Sequence, residues 1–351
     1  MVLPTDKSSL LANLSPNDQH FLVVDSHTMG EPTRIILHGF PPILGDTMME
    51  KKHYAATYLD SLRRALILEP RGHAGMFGAV LMEPVQTGLA DTGVIFMDSG
   101  GYLNMCGHGS IGVATVLVDQ KLISVQEPYT TAVLETPSGL VQTEVKVSDG
   151  KAQEVTLTNL PCFLYKENVE ISLERFASVF VDVAFGGNFF ALVNADALGI
   201  NLVEGQLPAL VQTGMEILDK VNAAISVSHP YLDITSVDLV EFYGKSLNPK
   251  ASLKNVVVFG DRQVDRSPCG TGSSAKVAAL YKKGKLKLNE EFVYESITGS
   301  LFRAKVWKET RAGEFDAVIP KITGSAYITG IHEMILNSND PFKYGFRLHE
   351  I

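Results

Sequence analysis

The segment Asp265-Arg266-Ser267-Pro268-Cys269-Gly270-Thr271-Gly272-Ser273 has a counterpart in Asn104-Met105-Cys106-Gly107-His108-Gly109-Ser110, and both contain Cys-Gly-x-Gly-Ser. The match extends upstream, since Val94-Ile95-Phe96 and Val257-Val258-Phe259 stand at the same distance ahead of the two cysteines. The copies lie about half of the 351-residue chain apart. This spacing points to a duplicated chain of two similar halves, each offering one cysteine to a shared cleft.

Each copy reads as a strand, a small-residue turn and then a helix, with Gly107 to Thr115 and Gly270 to Ser274 opening the helices. Each cysteine would therefore sit at a helix N-terminus. There, free backbone N–H groups and the helix dipole lower a thiol pKa from about 8.5 towards roughly 3.5 to 7.5. The glycines would let an anionic group approach bare amides, so a carboxylate held between two helix ends with a sulfur on either side is expected.

A net charge of -9, with no basic run interleaved with aromatics, argues against a nucleic-acid partner. Lys7, Lys51-Lys52 and Lys282-Lys283 read as solvated surface lysines. Three cysteines are too few for a disulfide framework. A reducing compartment with free thiols is expected, and Met1 to Gln19 lacks a signal-peptide core, so a cytoplasmic location follows. No apolar run is long enough to span a membrane.

Along the chain, Phe21 to Val24 and Thr33 to Leu37 read as strands around a turn, Asp25 to Glu31. Thr47-x-x-Glu50 is a capping-box pattern, followed by Tyr54, Tyr58, Leu59 and Leu62 at helical spacing. The loop Glu69 to Gly78 is rich in Gly and polar groups and suits a site wall. Later come a hairpin about Gly186-Gly187-Asn188, an amphipathic helix carrying Leu210, Ile217, Leu218, Val221 and Ile225, and a strand with Val237, Leu239 and Phe242.

Cys162 reads as a structural thiol. His108 with Cys106 could suggest zinc, but no four-ligand spacing surrounds them, so no metal is expected. Asp265 either caps its turn or receives a substrate ammonium. His27, Glu31, Glu69, Arg71 and His73 read either as site groups or as satisfied hydrogen-bonding groups that hold loops together. Redox chemistry and a Cys/His nucleophile leave the duplication unexplained. Two-base proton transfer explains it, because inverting a stereocentre needs one group to take a proton from one face and another to deliver one to the opposite face.

The chain resembles the proline racemase family along nearly its whole length. The resemblance rests on Asp25 to Glu31, Leu68-Glu69-Pro70-Arg71-Gly72-His73, Gly100 to Gly109, Phe185 to Phe190, Asp265 to Gly272 and Pro341-Phe342-Lys343. It implies an α/β fold of two pseudo-symmetric domains of the diaminopimelate-epimerase type, each a strand-rich sheet or barrel around a central helix. The halves are drawn as 1–165, joined by the tail 335–351, and 166–334. By the same resemblance the enzyme is a homodimer working without pyridoxal phosphate, metal or other cofactor. Cys106 and Cys269 are the thiolate base and thiol acid; Gly107, His108, Gly270 and Thr271 donate to the substrate carboxylate; Asp265 receives the ring nitrogen.

Family members include proline racemases, 4-hydroxyproline epimerases and trans-3-hydroxyproline dehydratases, the last typically carrying threonine in place of the second cysteine. Phe77, Leu239 and Phe259 stand where racemases and epimerases differ, and their apolar character suits the unsubstituted ring of proline. A non-enzymatic amino-acid-binding clamp would need the amides but not two thiols.

Overall fold

The computed structural model describes residues 15–348. Lys7, Leu10-Leu11 and the last three residues of the C-terminal tail lie outside them. The duplication is visible in strand order. In the first half, Phe77–Met82 pairs antiparallel with Thr92–Asp98, which pairs with the short Tyr102–Leu103 and then, in parallel, with Tyr129–Thr136. In the second half, Val237–Gly244 pairs antiparallel with Leu253–Phe259, which pairs with the short Gln263–Val264 and, in parallel, with Phe292–Glu295. A cysteine and a buried helix follow each short strand.

The helices are α1 (Met48–Tyr58), α2 (Asp60–Ile67), α3 (Gly107–Asp119), α4 (Leu207–Ala224) and α5 (Gly270–Lys282). Helix α3 is buried on all sides from Gly107 to Val118, and α5 from Gly270 to Ala279, as central helices wrapped by strands must be. One apolar core packs around both, joining Phe96, Ile111 and Val116 to Val257, Val277 and Phe302. The predicted capping box is present, Thr47 Oγ1 accepting from Glu50 N at 3.1 Å and Glu50 Oε2 from Thr47 N at 3.2 Å.

The halves exchange strands. Ala326–Leu336 pairs antiparallel with Gln19–Thr28, so a late strand completes the first half's sheet. Lys151–Thr158 pairs antiparallel with Phe315–Gly324 across the two halves. Positions 165 and 166 fall inside the strand Phe163–Ile171, and 334 and 335 inside Ala326–Leu336.

Three local readings change. The helix expected to run from Tyr54 through Leu62 breaks at Leu59. The new direction of α2 buries Leu62 and Leu66 and brings Arg63 to the carbonyls of Asp98 and Ser99. The turn expected over Asp25 to Glu31 shrinks to Met29-Gly30, because strand pairing continues through Thr28 and resumes at Glu31. Lys52 and Lys283 are not merely solvated. Lys52 is partly buried and donates to Asn104 Oδ1 at 2.6 Å, and Lys283 pairs with Asp182 at 2.5 Å.

Candidate active site

The two cysteines occupy the N-caps of α3 and α5. Each sulfur accepts a backbone N–H from the first turn of its own helix: Gly109 N to Cys106 Sγ at 3.1 Å and Gly272 N to Cys269 Sγ at 3.3 Å. The helix ends touch. A Cβ added to Gly107 would lie 2.5 Å from Gly270 Cα, and one added to Gly270 would lie 2.7 Å from Gly107 Cα. These glycines are therefore required for one helix terminus to meet the other. Identical motifs nonetheless differ in backbone: Cys106 is extended at φ -139°, whereas Cys269 has φ 60°, a strained conformation for a residue with a side chain.

Both thiols face one narrow cavity of about 20 Å³, lined also by Phe77, Leu103, Met105, His108, Asn188, Leu239, Phe259, Asp265 and Thr271. Cys106, Cys269, His108, Asp265, Thr271, Phe77, Leu239 and Phe259 all line this pocket, Gly107 and Gly270 form the helix ends beside it, and His27, Glu31, Glu69, Arg71 and His73 do not line it. Nor does Phe96, which packs behind Cys106 against Gly109. Leu103, Met105 and Asn188 escaped the residue-level reading, although Asn188 belongs to the Gly186-Gly187-Asn188 turn, whose lack of regular structure was the available signal. Its Nδ2 donates to Met105 O at 3.0 Å, while its Oδ1 is buried with no partner among the described residues.

Asp265 is buried, and its Oδ1 accepts from Ser267 N and Ser267 Oγ, both at 2.7 Å. Thus it does cap its turn. Its Oδ2 lies 3.8 Å from His108 Nδ1, which is 3.4 Å from Cys106 Sγ. The next residue ties this loop to the other half, because Arg266 N donates to Glu31 Oε2 at 2.6 Å. Glu31 is fully buried, and burial followed by the charge of Asp265 raises its pKa well above the usual carboxylate range despite Arg266. His108 is held below its ordinary value by burial.

The expected lowering of the thiol pKa values is overturned. Burial pushes both Cys106 and Cys269 well above the ordinary thiol value of 9.0. Carboxylates add to this, Asp265 facing both sulfurs, Glu31 and Asp98 facing Cys106, and Glu241 facing Cys269. The N–H groups of Gly109 and Gly272 pull the other way but are outweighed.

The pocket continues into a wider cleft sharing Leu103, Asn188, Leu239 and Phe259 and edged by Lys52, Asp98, Asp233, Asp238 and Asp261. Among the described residues no cluster of three or more His, Cys, Asp or Glu could hold a metal ion. Cys162 is buried elsewhere, its backbone exchanging hydrogen bonds with Val318. No helix of the described residues is long and apolar enough to cross a membrane.

Two thiols lining one small pocket, with the charge of Asp265 acting on both, can move a proton on and off one carbon. The chain is 52% identical over 325 residues to the proline racemase of Acetoanaerobium sticklandii, covering 92% of this chain and 97% of that protein. It is 50% identical over 326 residues to the proline racemase of Clostridioides difficile, covering 93% and 97%. A solved hydroxyproline epimerase from Agrobacterium vitis, with trans-4-hydroxy-L-proline bound, superposes with TM-score 0.89 at 34% identity, covering 94% of this chain and 96% of that one. The proline racemase family pattern matches residues 23–347, and with that extent of match the chain belongs to the proline racemase family.

Proposed function

We propose that this chain interconverts L- and D-proline by two-base proton transfer at Cα, with Cys106 and Cys269 exchanging the roles of thiolate base and thiol acid. The observation that carries the reading is that two copies of one motif, one from each half, deliver their sulfurs to a single small pocket. Helix-end amides at Gly107, His108, Gly270 and Thr271 receive the substrate carboxylate, and Asp265 receives the ring nitrogen. A clamp that only binds would need no second thiol. The enzyme needs no cofactor in this scheme, because the charge developing at Cα is met by the cysteine on either face and by the carboxylate held at the helix ends. Assembly as a homodimer and a cytoplasmic location belong to the same reading, by likeness to the family.

Raised thiol pKa values fit an enzyme whose substrate brings its own cation. An ammonium bound at Asp265 offsets the carboxylates and lowers the cost of forming a thiolate. The free pocket is poised to hold protons, and the filled one to release them.

A second reading, 4-hydroxyproline 2-epimerase, is favoured by Asn188, whose unpartnered Oδ1 could accept a hydroxyl proton. The apolar wall of Phe77, Leu239 and Phe259 argues against it. Leaving a hydroxyl unpaired there costs about 1 to 3 kcal/mol, or roughly 5-fold to 150-fold in kcat/KM. The test is optical rotation of L-proline and of trans-4-hydroxy-L-proline with purified protein in reducing buffer. Proline is expected to win by that margin, and Phe259→Ser to narrow it. Equal or better use of the hydroxylated substrate by the wild type would move the assignment to the epimerase and implicate Asn188.

A further inference from the structure

The carbonyl just ahead of each cysteine accepts from a buried asparagine, but the two asparagines come from different places. Pro268 O receives Asn255 Nδ2 at 2.8 Å and Ser273 Oγ at 3.1 Å, both from its own half. Met105 O receives Asn188 Nδ2 at 3.0 Å, with no second donor among the described residues. Asn188 stands in the opposite half, at the tip of the hairpin formed by Val179–Phe185 and Phe189–Asn194. Its amide can face a carbonyl only with the NH2 group, so the contact also fixes which way Oδ1 turns.

The tip is seated against both cysteine motifs. A Cβ on Gly187 would lie 3.1 Å from Thr271 Cγ2 and 3.3 Å from Met105 Sδ, and one on Gly186 would collide with Thr271 O. Ser138 closes the arrangement from the first half, its N donating to Asn104 O at 3.2 Å and its Oγ to Gly187 O at 3.3 Å. Asn188 itself is buried and lines both the cavity between the sulfurs and the cleft outside it. The equivalent hairpin of the first half, whose second strand likewise runs parallel to the next strand in the chain, does the converse. At its tip Glu31 takes the Arg266 N–H of the Cys269 loop.

We propose that Asn188 is a positioning residue for Cys106: it holds the cysteine loop of the first half from the second half, so that the Cys106 sulfur is set against the pocket only while the hairpin tip is docked. A buried carbonyl that loses its donor is left unsatisfied, which costs more than the bond itself contributes. Without Asn188 the Cys106 loop loosens, and with it the N-cap that seats the sulfur. Pro268 O keeps both of its donors whatever happens at Asn188.

This inference rests on the two-cysteine reading, so its first measurement does not use turnover. Iodoacetamide alkylation of Cys106 and of Cys269 is followed in the same sample by mass spectrometry of the two peptides. The readout is the ratio of the two rates, because a truncation that merely widens the shared cavity speeds both and leaves the ratio alone. Loss of one buried hydrogen bond raises the open population of a segment by about 10-fold, so Asn188→Ala should raise the Cys106-to-Cys269 ratio by that factor. A purely structural defect predicts the reverse, since the hairpin belongs to the half of Cys269 and packs on its helix. Ser138→Ala, which removes the link to Gly187 O, should raise the ratio by less and serves if the first variant fails to fold. An unchanged or lowered ratio in the folded variant overturns the proposal. Optical rotation gives the second measurement: kcat for proline should fall about 10-fold to 100-fold in Asn188→Ala, as for any misplaced catalytic group, and a wild-type kcat would equally overturn the positioning role. If the ratio shifts in a protein whose wild type does not racemise proline, the tether stands and the assigned function falls.

Discussion

At the scale of single residues, the sulfurs are protonated in the empty pocket because burial and carboxylates outweigh the helix-end amides. With ordinary values of 9.0 already exceeded for both thiols, kcat/KM is expected to go on rising with pH through 9. A plateau reached near pH 6 would restore the depressed thiols that the helix positions alone suggest. Cys106→Ser and Cys269→Ser should each lower racemisation by on the order of 10³-fold or more, since a hydroxyl cannot replace a thiolate as base. The measurement is optical rotation alongside circular dichroism; substantial racemisation by either folded variant would sink the two-base mechanism. The motif made both cysteines legible from sequence, but it could not disclose the charges around them. Glu31 is far from Cys106 along the chain, and nothing in Leu239-Val240-Glu241-Phe242 distinguishes a buried carboxyl from one on a strand's wet face.

At the scale of elements, the contact between the ends of α3 and α5 sets the floor of the site. Gly270→Ala would bring a methyl group to 2.7 Å from Gly107 Cα, where only backbone can move aside. Overpacking of this kind costs about 1 to 3 kcal/mol, and the displaced helix end should lower kcat as well. Thr47→Ala makes the contrast: losing the cap of α1 should cost about 1 kcal/mol in denaturant unfolding and leave kcat/KM unchanged. An active Gly270→Ala protein of wild-type stability would remove the contact from the argument. Caps, hairpins and helix starts were legible because their signals are local. The break at Leu59 was not, since the helical spacing of Tyr54, Tyr58, Leu59 and Leu62 continues across it, and only the tertiary placement of Arg63 shows where α2 points.

At the scale of the whole molecule, repetition in the sequence correctly implied repetition in the fold, but strand exchange was invisible. Pairing between Gln19–Thr28 and Ala326–Leu336 leaves no trace in the local alternation of either strand. Stability should carry the mark of the buried carboxyl. The pKa of Glu241 rises from 4.5 to about 7 on folding. The folded state then binds the extra proton, so this stabilisation is fully present below 4.5 and is lost as pH rises through 7. Relative to Glu241→Gln, wild type should lose about 3 kcal/mol of unfolding free energy across that window. Urea titrations of both proteins at several pH values give the difference directly, and a difference constant with pH would mean that Glu241 is ionised throughout.

The left-handed backbone at Cys269 also constrains how this chain could change its chemistry over evolutionary time. Position 106 lies on ordinary extended backbone and accepts any side chain the pocket tolerates. Position 269, at φ 60°, disfavours β-branched residues, so the exchange of the second cysteine for threonine that marks the dehydratase branch is not a free single step from here. Two copies of one motif have thus acquired different mutational neighbourhoods, and the half carrying Cys269 is the more tightly bound to its present residue.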